Sequence, residues 1–197
     1  MELVIATSNP HKITELTPLL RPARWTIRTG ADFPDAPDPE ETGATYEENA
    51  LIKARAWAEA TGLPALADDS GLEVEALGGR PGIHSSRYAP TAEARIDKLL
   101  EALREIPGDR RRARFVCVIA FVDPGGASKT FQGICPGAIT RSRSGGHGFG
   151  YDPVFLVDGC GGRTMAELTP EEKNTLSHRA RAAAALLEAF GAPPPVG

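Results

Sequence analysis

Cysteine is scarce in this sequence, and the spacing of the few that occur excludes their usual structural uses. Cys117, Cys135 and Cys160 are odd in number, far apart and without a CxxC pair, so neither a disulfide framework nor a zinc site is supported. Long hydrophobic runs are missing too. The longest, Phe115 to Val122, has eight residues, against the roughly 20 a bilayer-spanning helix needs. No basic stretch followed by an apolar one is visible at the N-terminus, so a cytoplasmic protein with no membrane partner is expected. Positive charge is not in excess: 22 basic and 26 acidic residues give a formal net charge of −4 and a pI near 5.6. That balance argues against a nucleic-acid partner. There is no internal repeat, and 21 glycines and 17 prolines are too few and scattered for a low-complexity chain. No P-loop pattern occurs anywhere.

What is there reads as a globular chain of 197 residues, 41% hydrophobic and 24% charged, long enough for one domain with a sizeable core. Residues 1–191 read as a single α/β domain and residues 192–197 as a Pro-rich tail. The apolar run at residues 3–6 predicts a buried strand, followed by a short helix ending before Pro22 and a second strand around residues 25–29. Three prolines and five acids at residues 31–41 predict a loop. Residues 45–61 predict a helix: Thr45 and Glu48 form a capping box, and Ala50, Leu51, Ala54, Trp57 and Ala58 share a face. Residues 65–67 read as a buried strand end, and Leu72, Val74 and Ala76 as a separate, half-exposed strand. A second amphipathic helix is predicted over residues 91–106. Strands follow at 114–123, 129–135 and 154–157. The last helical region runs from about 170 to 190, broken near Ser177, with Thr169 as its cap. Strands alternating with helices define an α/β fold.

Four segments carry polar residues after apolar strands, where α/β folds place their ligands. The first is Thr7, Ser8, Asn9, Pro10, His11 and Lys12: hydroxyls, an amide and backbone N–H groups at a helix start suit phosphate oxygens, while capping by Ser8 or Asn9 explains them equally. The second pairs Asp68 with Asp69 before Ser70 and Gly71. Adjacent carboxylates repel unless a cation or donors offset them, and hard oxygens of this kind suit Mg²⁺; an Asp-rich turn is the alternative. Glu41 lies in an acidic loop. The third, residues 144–153, surrounds Phe149 and Tyr151 with glycines, allowing a flat ligand to approach ring and backbone; a flexible hairpin with Phe149 in the core is the other reading. The fourth is Lys173 with Ser177, His178 and Arg179, donors for an anion or a solvated helical face. Lys53 sits at the edge of the apolar stripe in the helix at 45–61, as a surface charge or within reach of the acidic loops. The cluster Arg110, Arg111, Arg112 and Arg114 reads as a solvated loop.

Five collinear segments, Ile5-Ala-Thr-Ser-Asn-Pro-His-Lys12, Glu41-Thr-Gly-Ala-Thr-Tyr-Glu-Glu-Asn-Ala50, Ala67-Asp-Asp-Ser-Gly-Leu72, Gly148-Phe-Gly-Tyr-Asp-Pro153 and Ser177-His-Arg179, resemble the inosine triphosphate pyrophosphatase family over about residues 3–190. The resemblance implies an elongated mixed sheet with flanking helices, two lobes around a central nucleotide cleft, and a homodimer. It implies Mg²⁺-dependent hydrolysis of ITP, dITP and XTP to the monophosphate and pyrophosphate. By the same resemblance Thr7 to Lys12 and Lys53 hold the triphosphate, and Glu41 and Asp69 bind Mg²⁺. Asp69 also accepts the proton of the attacking water, Asp68 supports the metal shell, and Ser70 touches substrate. Phe149, Gly150, Tyr151, Asp152, Lys173, His178 and Arg179 surround base and sugar, and His178, Arg179 and backbone N–H groups near Phe149 are candidates for reading the 6-keto edge. The chain departs from the family pattern after Arg87-Tyr88 and in the Pro-rich loop at 34–39. A pyrophosphatase for modified pyrimidine nucleotides and a silent nucleotide-binding module are the rival readings. For the metal site to exist, Glu41 and Asp69 have to face one another closely enough to share an ion.

Overall fold

A computed structural model describes residues 1–195; Val196 and Gly197, the end of the expected Pro-rich tail, lie outside the described residues. Six strands, β1 (Glu2–Ile5), β2 (Thr26–Arg28), β3 (Ala65–Val74), β4 (Arg112–Val122), β5 (Ser128–Ile139) and β6 (Phe155–Val157), form one sheet in the order β2-β1-β3-β4-β5-β6. It is mixed: β1 runs parallel to both β2 and β3, and β6 antiparallel to β5. Among the described residues five α-helices accompany it, α1 (Pro10–Leu20), α2 (Tyr46–Thr61), α3 (Ala92–Ala102), α4 (Pro170–Leu176) and α5 (His178–Ala189). The α/β class read from alternating elements is the class observed.

The chain divides into two compact units. The first takes Met1–Asp69, Cys117–Gly133 and, among the described residues, 179–195; the second takes Ser70–Val116 and Ile134–His178. Each has its own apolar core. In the first, Leu3 and Ile5 of β1 pack with Leu16, Leu19 and Leu20 of α1 and with Leu186 and Leu187 of α5. In the second, Leu99 of α3 packs with Phe115, Phe155, Val154 and Met165. Among the described residues no helix is long and apolar enough to cross a membrane.

Local sequence explains the element boundaries near the site. Thr45 caps α2 through a capping box with Glu48, and Gly62 at φ +67° ends it. Asn9 caps α1 by accepting from the His11 N–H, with Pro10 in the first turn. Ser177 is extended at ψ 158° and separates α4 from α5, the break expected there.

Three expectations need correction. Asp68, Asp69, Ser70 and Gly71 are not a loop between two strands but the middle of one ten-residue strand, β3. Two adjacent aspartates are tolerated because consecutive side chains leave a strand on opposite faces, where each meets its own partners. The helix predicted over 91–106 stops at Ala102. Arg111 is the reason the following carbonyls are satisfied without further helical turns. It is buried rather than solvated, and its guanidinium donates to the carbonyls of Ile106 (3.1 Å), Thr140 (2.7 Å) and Leu103. Arg112 and Arg114 are likewise not loop residues: both lie on β4, paired with Asp158 and Glu73.

Candidate active site

The first unit gathers charge around β3. Asp68 is buried, and its Oδ2 accepts from Arg179 Nε and Nη2 at 3.3 and 3.1 Å while Oδ1 lies 3.1 Å from Lys12 Nζ. Burial alone would raise its pKa. The cations Lys12, Arg179 and Lys53 outweigh burial and hold the carboxyl well below the usual carboxylate range. Arg179 is itself 1% exposed, and Glu15 of α1 takes its Nη1. Burial works against the guanidinium's charge, but Asp68 and Glu15 overcome it and raise the pKa further. The Asp68 carbonyl oxygen then accepts from Lys12 Nζ at 3.2 Å and Lys53 Nζ at 2.7 Å. Two ammonium groups, one from α1 and one from α2, therefore converge on a single peptide oxygen.

Lys53 Nζ also donates to Glu41 Oε1 at 2.6 Å and stands 3.8 Å from Asp69 Oδ1. Burial lowers the lysine's pKa, yet Asp68, Asp69 and Glu41 together carry it above the ordinary value. Glu41 and Asp69 thus both face the Lys53 ammonium. The other oxygen of Asp69, Oδ2, accepts from the buried Asn49 side-chain amide at 3.2 Å. Burial, with help from the Glu41 charge, raises the Asp69 pKa in spite of Lys53, Lys12 and Asn49.

The segment before α1 is ordered by its own side chains. Thr7 Oγ1 accepts from the Asn9 N–H at 3.2 Å, and Asn9 Oδ1 from the His11 N–H at 3.0 Å. Capping by Asn9 is therefore observed, while Ser8, Pro10 and His11 stay exposed beside the partly buried Lys12.

The second unit opens at Ser70 and carries a separate constellation. Asp152 and Lys173, both buried, form an ion pair of 2.6 Å, and Asp152 Oδ2 also accepts from the Phe149 N–H at 2.9 Å. That bond spends the N–H of Phe149 itself, so it is not the donor for a 6-keto edge. Lys173 Nζ lies 5.2 Å from the Phe149 ring centroid. Gly148 is held at φ +76°, and a Cβ there would meet Asp152 Oδ2 at 2.1 Å, so this loop tolerates only glycine against the ion pair. Gly150, at φ +62°, continues the turn. Tyr151 is buried and its hydroxyl donates to the Ser85 carbonyl at 3.0 Å. His178, 5% exposed, stacks on Phe115 at 4.8 Å and 15°. None of Lys173, His178 and Arg179 lies on a solvated helical face.

Sequence reasoning assigned nothing to Glu15 or Asn49. Helical spacing held the signal: Asn49 is four residues before Lys53 and Glu15 three after Lys12, so each shares a helix face with a lysine of the site.

The donor set can be tested against a divalent ion. Among the described residues no group of three His, Cys, Asp or Glu side chains could hold a metal. Two carboxylates, Glu41 and Asp69, do converge, and two hard oxygens are what Mg²⁺ takes from a protein when phosphates and water complete its shell. The residues fit on that condition. Asp68 does not join them as a ligand, because its carboxylate is engaged by Arg179 and Lys12.

A mixed sheet whose third strand sets two carboxylates against lysines from two helices defines an α/β protein with a densely charged centre. The Ham1 family profile matches residues 3–189, and the chain belongs to that family. It is 52% identical over 187 residues to a protein of Symbiobacterium thermophilum named dITP/XTP pyrophosphatase, covering 94% of this chain and 93% of that one. A protein of the same name from Thermus thermophilus is 50% identical over 197 residues, covering 99% and 94%. The solved HAM1 protein of Coxiella burnetii superposes with a TM-score of 0.87 at 45% identity, over 97% of this chain and 98% of that one.

Proposed function

We propose that this chain is a nucleoside triphosphate pyrophosphatase that hydrolyses dITP, XTP and ITP at the α–β phosphoanhydride, releasing the monophosphate and pyrophosphate. The observation that carries the reading is the convergence of Lys12, Lys53, Glu41 and Asp69 around one strand, in a chain half identical to proteins named for that activity. Lys12 and Lys53 offset the triphosphate's charge. The segment Thr7 to His11 adds hydroxyl and backbone donors at the start of α1. Glu41 and Asp69 would hold Mg²⁺, which supplies charge neutralisation and a more acidic bound water. Asp69 accepts the proton as water adds across the anhydride and the bridging oxygen departs with pyrophosphate. Asp68 acts behind them, through the lysines and Arg179. In the second unit, Phe149 offers a face for the base, with Lys173 and Asp152 fixing its loop and His178 a polar ring. Ser70 follows Asp69 in β3 and touches substrate. The assembly is a homodimer, and the place of action is the cytoplasm. The names of the relatives favour neither a pyrimidine nucleotide specificity nor a silent binding module.

Incubation with dITP, XTP, dGTP and dUTP in the presence of Mg²⁺ tests the reading. Pyrophosphate and monophosphate should appear from dITP and XTP, with dGTP spared. Diphosphate and orthophosphate would reject the cleavage position. Asp69→Asn should abolish turnover while nucleotide binding, measured by calorimetry, persists.

A further inference from the structure

Asn49 is fully buried in the first turns of α2, an environment that admits a polar side chain only when its hydrogen bonds are made. Both ends of its carboxamide are in use. The amide N–H₂ donates to Asp69 Oδ2 at 3.2 Å. The carbonyl Oδ1 accepts from the Gly43 N–H at 2.8 Å. Gly43 is two residues from Glu41 and lies so near the helix that a Cβ would meet Glu48 Cβ at 2.6 Å and Asn49 Oδ1 at 2.7 Å. One amide thereby ties the loop that carries Glu41 to the strand that carries Asp69. On the same helix face, Lys53 touches both carboxylates.

We infer that Asn49 is a positioning residue: its side chain fixes the separation of the Glu41 and Asp69 carboxylates and turns Asp69 so that Oδ1 is the oxygen presented to the site. The inference rests on the function proposed above, since it concerns the same carboxylate pair. Outer partners of this kind set the orientation of metal-binding carboxylates, and their loss costs about 10- to 100-fold in metal affinity or activity. The triphosphate contacts of Lys12 and Lys53 do not pass through Asn49, so the loss should fall on kcat and on metal affinity rather than on KM.

The test uses the full chain with Asn49→Ala and with Asn49→Asp, which keeps an acceptor for the Gly43 N–H and removes the donor to Asp69. Mn²⁺ binding is followed by electron paramagnetic resonance without nucleotide, beside kcat and KM on dITP and the circular-dichroism melt. Expected for both variants are a Mn²⁺ dissociation constant and a kcat each worse by about 10- to 100-fold, with KM within about threefold. Asn49→Asp sets a second buried carboxylate against Asp69 and should melt below the wild type, so Mn²⁺ binding and kcat are read well below each variant's own melting temperature, where its circular-dichroism spectrum is native. Wild-type Mn²⁺ affinity and kcat in a folded Asn49→Asp overturn the inference and leave the proposed function standing. A wild-type protein that fails to cleave dITP, with Mn²⁺ binding still weakened by both variants, removes the function and keeps the positioning role.

Discussion

Arg179 shows how little a residue's identity says about its role until its neighbours are known. A cationic side chain beside His178 reads as a contact for an anionic ligand, yet its guanidinium is enclosed between Asp68 and Glu15. Truncating it would leave two carboxylates facing a buried site without their shared cation. Arg179→Met should therefore cost about 3–5 kcal/mol of stability, read from urea unfolding. A residue that only touched substrate would leave the unfolding midpoint where it was and raise KM instead. The adjacent aspartates differ in the same way. Asp68 is held ionised by three cations and Asp69 has its proton affinity raised by burial, a difference that only the family resemblance, and no local feature of the sequence, anticipated.

Helix α2 is the element on which the site depends most, since Asn49 and Lys53 project from one of its faces. Its start is fixed by local chemistry. The Glu48 N–H donates to Thr45 Oγ1 at 3.1 Å, while Glu48 Oε2 accepts from the N–H groups of Ala44 (2.6 Å) and Thr45 (3.2 Å). Thr45→Ala should destabilise the protein by about 1 kcal/mol. Hydrogen exchange should speed up first at the amides of Glu47 to Asn49 in that variant. This capping box is legible in the sequence because it involves residues three apart, as are the Asn9 cap of α1 and the break at Ser177. Strand β3 was not legible as one strand. A run of two aspartates, a serine and a glycine carries every local mark of a turn, and only partners brought from α1, α2 and α5 make it a strand interior.

For the whole molecule, the two units each bury an apolar core of their own, and the described residues provide no membrane-spanning helix. The homodimer proposed on family grounds is a statement about mass. Sedimentation equilibrium should give about twice the 20.9 kDa of one chain, and a single-chain mass across the micromolar range would reject it.

By itself the sequence determined the α/β class, the helix caps and the five collinear motifs, because periodicity and capping act over a few residues and are written in neighbouring letters. Tertiary structure alone decided that Arg179 reaches Glu15 across 164 positions, that Arg111 is an internal donor, and that Asn49 joins two carboxylate-bearing segments. These outcomes depend on burial. A polar group withdrawn from water must find its partner wherever the fold places one, and a single string of residues does not state which partner that will be.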